Sequence, residues 1–263
     1  MIDLHHHCLH GLDDGPQTLE EAVALCQAAA AEGIETIVAT PHVLRGRWQN
    51  DSRPLLEARL AELRSALGDT PRLLLGSEYF FAHDMNEVLQ SGQGIVPLAG
   101  SRYVLVEFDS HNVPPMIEQP FYRAQLDGWI PLIAHPERNA VFQSRPGLLA
   151  TLVRLGAKVQ VTAASVLGDF GEEARAAAVD FLQRELVHVI ATDAHNLKRR
   201  PPRARAAREA VAEIVGGEVA QALFVDNPQT VIDGTTLVYD PDLPYTSTPE
   251  AGLLGRLRRL FKK

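Results

Sequence analysis

Three histidines stand in a row near the start of the chain, at the end of a short apolar run that predicts a β-strand. Because side chains alternate along a strand, His5 and His7 project from the same face and lie side by side. Imidazole is the commonest metal ligand in proteins, so this pair indicates a metal site. A polar strand end without a metal is the alternative for the pair taken alone.

Further candidate ligands occupy the ends of later strand-like runs. They are His42, Glu78, Glu107, His135, Asp193 and His195. One carboxylate of the Asp13-Asp14-Gly15-Pro16 loop can reach the same rim. Each residue alone is typical of a helix cap or a solvated loop. Together, however, carboxylates at buried strand ends would repel each other without cations between them, so the set predicts a site for more than one divalent metal ion.

The elements that would position these residues alternate along the chain. Apolar strand-like runs lie at 2–5, 34–40, 73–78, 103–107, 130–134, 158–161 and 187–192. Helical patterns lie at 18–33, 54–67, 116–127, 146–155, 172–184 and 202–215. This alternation predicts an α/β fold with a parallel sheet, and we favour closure into a barrel resembling the (β/α)₈ type over an open doubly wound sheet.

Composition narrows the class of protein. The 263 residues are 46% hydrophobic and 22% charged, which is typical of a globular protein with a sizeable core. A net charge of −8 argues against a nucleic-acid partner. Two cysteines make no disulfide framework, and neither a signal peptide nor a membrane-spanning run is visible, so we expect a cytoplasmic protein.

The alternation of strand-like and helical segments stops near the end of the chain. We expect a barrel domain at 1–235, a proline-rich linker at 236–251 and a basic amphipathic tail at 252–263. A helix of this kind can lie on an anionic membrane surface, which would place the protein at the inner face of the membrane. The alternative is a helix that docks on the barrel or on a second subunit of a homo-oligomer.

The motifs taken together resemble the PHP superfamily, named for polymerase and histidinol phosphatase, and above all its bacterial protein-tyrosine phosphatases encoded with capsule and exopolysaccharide genes. The resemblance runs from residue 1 to about residue 230. The matching motifs are His5-x-His7, Asp13-Asp14-Gly15-Pro16, Thr40-Pro41-His42, Gly76-Ser77-Glu78, Glu107, His135-Pro136-Glu137-Arg138, Asp193-Ala194-His195-Asn196 and Arg200-Pro201-Pro202.

The resemblance implies a distorted seven-stranded (β/α)₇ TIM-like barrel, the PHP fold, with three divalent metals. Manganese is usual, and iron, zinc, magnesium and cobalt are alternatives. The ligands implied by position are His5, His7, Glu78 and Asp193 for one ion; Glu78, Glu107 and His135 for a second, with Glu78 bridging; and Asp14, His42 and His195 for the third. Arg138 and Arg200 match the phosphate-binding arginines of the family.

The implied activity is hydrolysis of phosphotyrosine on a membrane-associated tyrosine kinase of capsule or exopolysaccharide biosynthesis. A metal-activated water would attack phosphorus, with Arg138, Arg200, His42 and His195 as the catalytic residues. Arg45, Arg47 and Trp48, in the loop at 43–51, would join the two phosphate-binding arginines in contacting the substrate.

Other functions compete with this hypothesis. A small-molecule phosphatase, such as one acting on histidinol phosphate, and an inactive metal-binding regulatory module are the two alternatives. A cysteine-based phosphatase requires an arginine six positions after its cysteine. Asp14 and Glu32 stand at that distance from Cys8 and Cys26, so this mechanism is excluded.

Overall fold

The computed structural model describes residues 1–243, in which strands and helices alternate. The predicted tail at 252–263 and the linker from residue 244 onward lie outside the described residues. The strands are β1 (Ile2–His6), β2 (Thr36–Ala39), β3 (His42–Val43), β4 (Arg72–Leu75), β5 (Glu78–Phe80), β6 (Tyr103–Glu107), β7 (Ile130–Ala134), β8 (Lys158–Thr162) and β9 (Val189–Ala191). The α-helices are α1 (Leu19–Ala31), α2 (Arg53–Leu67), α3 (Met85–Ser91), α4 (Glu118–Leu126), α5 (Ala140–Ser144), α6 (Pro146–Arg154), α7 (Ala163–Leu167), α8 (Glu172–Gln183), α9 (Ala204–Val215), α10 (Gly217–Gln221) and α11 (Asn227–Asp233).

The sheets confirm the predicted α/β class and the parallel pairing. Strands β1, β2 and β4 form one sheet in the order β1-β2-β4, and the other six form a second in the order β3-β5-β6-β7-β8-β9. Every pairing between neighbouring strands is parallel. The prediction of seven strands is wrong, because residues 1–243 contain nine strands in two sheets.

The two additional strands, β3 and β5, follow short breaks in the chain after β2 and β4. Thr40 and Pro41 separate β2 from β3, and proline cannot donate a ladder hydrogen bond. Gly76 and Ser77 separate β4 from β5. After each break the chain leaves the first sheet and joins the second, where His42 is paired in register with Glu78. The breaks therefore place two predicted ligands next to each other.

The two sheets also approach each other at β1 and β9. The His7 amide donates to the Ala194 carbonyl at 2.9 Å, and the Asp193 amide donates to the His5 carbonyl at 2.8 Å. The first and the last groups of predicted ligands are thus held together by main-chain bonds.

Both faces of the strands are buried, as expected for parallel strands that pack against helices on one side. Along β6, Tyr103 and Leu105 belong to an inner apolar cluster with Leu4, Leu132 and Val189. Residues on the alternate face, such as Val104 and Val106, pack in the larger cluster with the helices. Glu107 lies further along the inner face, so the apolar interior gives way to polar residues at the carboxyl ends of the strands.

The helices agree well with the sequence patterns where they are long. Thr18 caps α1 in a capping box with Glu21, as predicted. The helices α2, α4, α6, α8 and α9 match the other five predicted segments. The unpredicted helices have only five to seven residues, which is too short to show a helical period.

Residues 236–243 follow α11 and contact the sheet. Leu237 is buried in the inner cluster. Asp240 accepts hydrogen bonds from Lys158 Nζ at 2.6 Å, and its Oδ1 lies 3.2 Å from His188 Nε2. Among residues 1–243, no helix combines the length and the apolar character needed to cross a bilayer. The domain boundaries stay a prediction.

Candidate metal centre

Three buried histidines at the rim present the same ring nitrogen to a common centre. His5 Nδ1 donates to Gln160 Oε1 at 2.9 Å, His7 Nδ1 donates to Asp13 Oδ2 at 2.8 Å, and His195 Nδ1 donates to the Asp193 carbonyl at 2.9 Å. Because each Nδ1 faces an acceptor, each Nε2 is directed to the centre and offers it a lone pair when the ring is neutral. The Nε2 atoms of His5 and His7 lie 3.1 Å apart. This is the pattern of imidazoles oriented for metal binding.

Three carboxylates enter the same space. Glu78 begins β5, where its Oε2 lies 3.3 Å from Nε2 of both His5 and His7. Asp193 Oδ1 lies 3.2 Å from His5 Nε2. Glu107, at the end of β6, contributes the third carboxylate. These side chains are almost fully buried, so their charges need compensation.

Several of the buried atoms make no hydrogen bond of proper geometry within residues 1–243, although basic side chains lie close to some of them. These atoms are Glu78 Oε2, Glu107 Oε2, Asp193 Oδ1 and His195 Nε2. Unpaired buried oxygen and nitrogen atoms are costly unless something else binds them. Carboxylate oxygens that lack hydrogen bonds, gathered beside imidazole nitrogens, are the donor set of a divalent metal, so the residues fit such an ion.

The potential ligand atoms fall into four overlapping groups. They are His7, Asp14, His42 and His195; His5, Glu78 and His135; His5, His7 and Asp193; and His42, Glu78 and Glu107, with the ligand atoms of each group within 4.8 Å of one another. All nine residues predicted as ligands are therefore brought together. The groups divide the residues differently from the resemblance, because His7 joins the Asp14 group and His5 joins Glu78 and His135.

The ionisation of the two glutamates differs sharply. Burial opposes the charge of Glu78, but the charges of His5 and His42 hold its pKa well below the usual range. Burial and the negative charge of Glu78 raise the pKa of Glu107 to about 7. Burial disfavours protonation of His42, yet the charge of Glu78 raises its pKa to about 9. The carboxylates thus depend on nearby positive charge, as expected around cations.

Two of the predicted ligands have a left-handed backbone. His135 follows β7 with φ of 34°, and Asp193 lies just beyond β9 with φ of 52°. Such angles are uncommon outside glycine and cluster at functional sites. They allow the chain to turn at the strand end while the side chain still points at the rim. His135 Nε2 accordingly reaches Glu78 Oε1 at 2.8 Å.

The Asp13-Asp14-Gly15-Pro16 loop contributes one candidate ligand and one residue that supports other ligands. Asp14 Oδ1 lies 3.3 Å from Nε2 of both His42 and His195, at the exposed side of the centre. Asp13 instead supports the ligands, since it binds the His7 ring and accepts from the His42 amide at 3.0 Å. A Cβ at position 15 would lie 2.5 Å from the His7 carbonyl, so only glycine allows this close approach.

The predicted phosphate-binding arginines lie beside the centre. Arg138 Nη2 donates to Asp193 Oδ2 at 2.7 Å, and Arg200 Nη2 donates to the same oxygen. Both arginines line a cavity of about 450 Å³ that also borders Glu78, Glu107 and Asp14. The cavity is therefore lined both by fixed positive charge and by candidate ligands.

The predicted substrate loop at 43–51 borders the same rim. Arg45 lines the cavity and its Nη1 lies 2.9 Å from Glu107 Oε2. The Trp48 ring stacks on His42 with ring centroids 5.2 Å apart. Arg47 packs over Trp48, with its Cζ 4.7 Å from the ring centroid, and is not among the residues that line the described cavity. Main-chain bonds between Arg45 and Trp48 fold the loop into a tight hairpin.

Sequence reasoning did not identify the supporting role of three residues. Gln160 on β8 holds His5, Asp13 holds His7, and Phe170 packs against Arg138 and Arg200. Gln160 had a visible signal, because it is a polar residue between the two valines of the strand. Strand β8 is the counterpart of the one predicted strand to which no site residue was assigned. Phe170 carried no such signal.

Comparison with known proteins gives consistent matches over most of the chain. Residues 1–233 match the family model described as capsular polysaccharide synthesis, CpsB/CapC. The chain is 35% identical to the tyrosine-protein phosphatase YwqE of Bacillus subtilis, over 93% of this chain and 96% of the relative. It is 33% identical to the tyrosine-protein phosphatase CpsB of Streptococcus pneumoniae, over 88% of this chain and 98% of the relative.

Solved structures agree with these sequence matches. The fold superposes with a TM-score of 0.88 on a crystal structure from work on YwqE of Bacillus subtilis and CpsB of Streptococcus pneumoniae, described as unique metal-dependent tyrosine phosphatases. That match has 34% identity and covers 94% of this chain and all of the other. A β-aspartyl dipeptidase of Fervidobacterium islandicum, 16% identical with a TM-score of 0.51, covers 92% of this chain and 76% of its own and shares the fold alone.

Proposed function

The chain belongs to the CpsB/CapC family of capsular polysaccharide synthesis, and from this membership we propose that it is a metal-dependent protein-tyrosine phosphatase. The observation that carries the proposal is the convergence of imidazole nitrogens and carboxylate oxygens beside two arginines at one cavity. Negative phosphate oxygens and divalent cations are the groups that such a cavity attracts.

We propose that three divalent ions, manganese first among the candidates, occupy the centre. The residues that would hold them are His5, His7, Asp14, His42, Glu78, Glu107, His135, Asp193 and His195. Bound cations would supply a water of lowered pKa as the nucleophile and positive charge for the phosphate oxygens. The ring orientation fixed by Gln160 and Asp13 would keep Nε2 of two histidines facing this space.

Arg138 and Arg200 would bind the oxygens of the phosphate group. Both guanidinium groups are already held at Asp193, on the cavity wall, and each keeps further N–H donors for a ligand. This geometry positions a phosphate next to the candidate ligands without a large rearrangement of either arginine. Tyrosinate is a leaving group with a pKa near 10, so a strong proton donor is of secondary importance.

We assign catalytic roles to His42 and His195 because their Nε2 atoms face the same Asp14 oxygen at the exposed side of the centre. This is the side from which a substrate arrives. Trp48 stacks on His42, and Arg47 packs on Trp48, so a protein substrate would meet these side chains first. We propose that the substrate is phosphotyrosine on a tyrosine kinase of capsule synthesis, which the family match supports.

We also infer that the two sheets form one barrel-like wall around the inner cluster. The supporting contacts are the bonds from β9 to β1 and the crossing of the chain from β2 to β3 and from β4 to β5. In such an arrangement every strand directs its carboxyl end to the same rim, which is where parallel barrels place their active sites.

The decisive experiment measures hydrolysis of a phosphotyrosine peptide and of histidinol phosphate by full-length protein, with manganese and with a chelator. We expect the peptide to be preferred and the activity to disappear with the chelator or in His42→Ala. Cys8→Ala and Cys26→Ala should retain most activity, since neither thiol lies at the rim. Full activity of the chelated protein would refute metal dependence, and a preference for histidinol phosphate would favour the small-molecule phosphatase.

A further inference from the structure

Phe170 lies against both arginines of the cavity. The Cζ atom of Arg138 is 4.7 Å from the centroid of the Phe170 ring, and the Cζ atom of Arg200 is 5.8 Å from it. Both distances are within the range of a cation–π interaction. The ring also lines the cavity beside Asp193. One aromatic side chain therefore contacts two cations that come from distant parts of the sequence.

The segment that carries Phe170 is short and well anchored. It joins α7 to α8 between Gly168 and Gly171, whose φ angles of 89° and 90° favour glycine. The Asp169 amide donates to the Ala164 carbonyl at 3.0 Å. The Asp169 carboxylate accepts two hydrogen bonds from Arg203 Nη1, at 2.9 and 2.8 Å. The ring position is thus set from outside the metal centre.

The two arginines need such a support. Arg138 and Arg200 donate to the same oxygen of Asp193, so two positive charges share one acceptor atom. Their like charges repel each other, and a long arginine side chain loses considerable conformational entropy when it is fixed. The negative face of an aromatic ring attracts a guanidinium group without using its N–H donors. Those donors then stay available for phosphate.

We propose that Phe170 is a positioning residue that holds Arg138 and Arg200 in the geometry required for phosphate binding. The inference rests on the proposed phosphatase function, but the phosphate affinity it concerns can be measured without catalysis. The ligand chemistry is that of a phosphate dianion, and the contribution of Phe170 acts through the arginines.

The test compares Phe170→Leu and Phe170→Tyr in manganese-loaded, full-length protein. Calorimetry with inorganic phosphate should show affinity lowered about five- to tenfold in Phe170→Leu, the scale of a partly desolvated cation–π contact. Phe170→Tyr keeps the aromatic face and should stay within about twofold of the parent protein. Tyr122→Leu, on the exposed side of α4, is the matched aromatic control and should bind phosphate like the parent.

Arg203→Ala offers a second variant that leaves the ring in place but releases its segment. It should also lower phosphate affinity, and elemental analysis should show an unchanged metal content. Unchanged phosphate affinity in Phe170→Leu would overturn the positioning role, and so would equal losses in Phe170→Leu and Phe170→Tyr. If the parent protein binds phosphate but does not hydrolyse phosphotyrosine, the proposed function fails while the role of Phe170 stands.

Discussion

His5 on β1 and Gln160 on β8 are 155 positions apart in the chain, yet Gln160 Oε1 accepts a hydrogen bond from His5 Nδ1 at 2.9 Å. Both side chains are fully buried. The amide fixes which nitrogen of His5 carries the proton and therefore which nitrogen faces the centre. A residue that would not itself bind metal thus decides how a ligand is presented.

Replacing Gln160 should weaken metal binding. Gln160→Leu removes the acceptor for His5 Nδ1, and the loss of such a partner typically costs about 10- to 100-fold in metal affinity. Gln160→Glu retains an acceptor and should lose less. Competition titration with a fluorescent chelator measures the affinity directly. Gln229→Leu on the exposed surface of α11 is the control, and equal affinities in Gln160→Leu and the parent would disprove the supporting role.

Removing either arginine that we propose to bind phosphate should impair catalysis. Arg138→Ala and Arg200→Ala each remove hydrogen-bond donors to the charge that develops on phosphate. We expect each to lower transition-state stabilisation by about 3 kcal/mol, as measured from kcat/KM. Since both arginines also contact Asp193, metal content must be measured by elemental analysis in parallel. A variant that loses its metal together with its activity would show that its arginine stabilises the centre rather than the transition state.

Trp48 should matter more for a protein substrate than for a small one. Its ring stacks on His42 and packs against Arg47, and neither Trp48 nor Arg47 is among the residues that line the described cavity. We expect Trp48→Ala to raise KM for a phosphotyrosine peptide well above its effect on a small aryl phosphate. Steady-state kinetics on both substrates provides the comparison. Similar changes in the two KM values would indicate that Trp48 affects binding of the phosphate group rather than of the rest of the protein substrate.

Acid should selectively remove the stabilisation due to Asp240. Hydrogen bonds from His188 and Lys158 lower its pKa from 3.8 to about 2. A depressed carboxyl pKa stabilises the folded state above pH 3.8, and this contribution is lost as the pH falls through about 2. Asp240→Asn should therefore reduce the free energy of unfolding at pH 7 by about 0.5–1 kcal/mol, the range for partly exposed ion pairs.

Urea unfolding of the parent and Asp240→Asn at several pH values tests this expectation. The difference between the two proteins should shrink steadily below pH 4, where titration of other groups affects both alike. Glu57→Gln, which breaks an exposed pair with Arg53, is the control for a simple change of surface charge. A difference that stays constant down to pH 3 would contradict the assigned role of Asp240.

The sequence predicted the composition of the site better than its arrangement. Eight of the nine candidate ligands could be found because parallel strands direct their carboxyl ends to one edge, and polar residues stand out at the ends of apolar runs. Asp14 followed only from the family resemblance. The division of these residues into groups depends on the left-handed backbone of His135 and Asp193, which no local pattern announces. It also depends on strand breaks at Pro41 and Gly76, whose effect on the sheets follows from tertiary pairing.

Supporting residues were the least predictable part. Asp13 and Asp14 are adjacent and chemically identical, and only the folded loop shows that one holds the His7 ring while the other faces the rim. Phe170 could not be recognised either, because its value lies in contacts with arginines from other segments.

The hydrogen bonds between the segments at β1 and β9 also determine when the candidate metal centre can fold during synthesis. Asp3 accepts a hydrogen bond from the Thr192 amide, 189 positions later in the chain. Until that distant segment has left the ribosome, one edge of β1 lacks its partner and the histidines beside it lack Asp193. A nascent chain with such an open strand edge is prone to aggregation. The centre must therefore assemble late, and metal ions can stabilise the fold only after the segment that follows β9 has been synthesised.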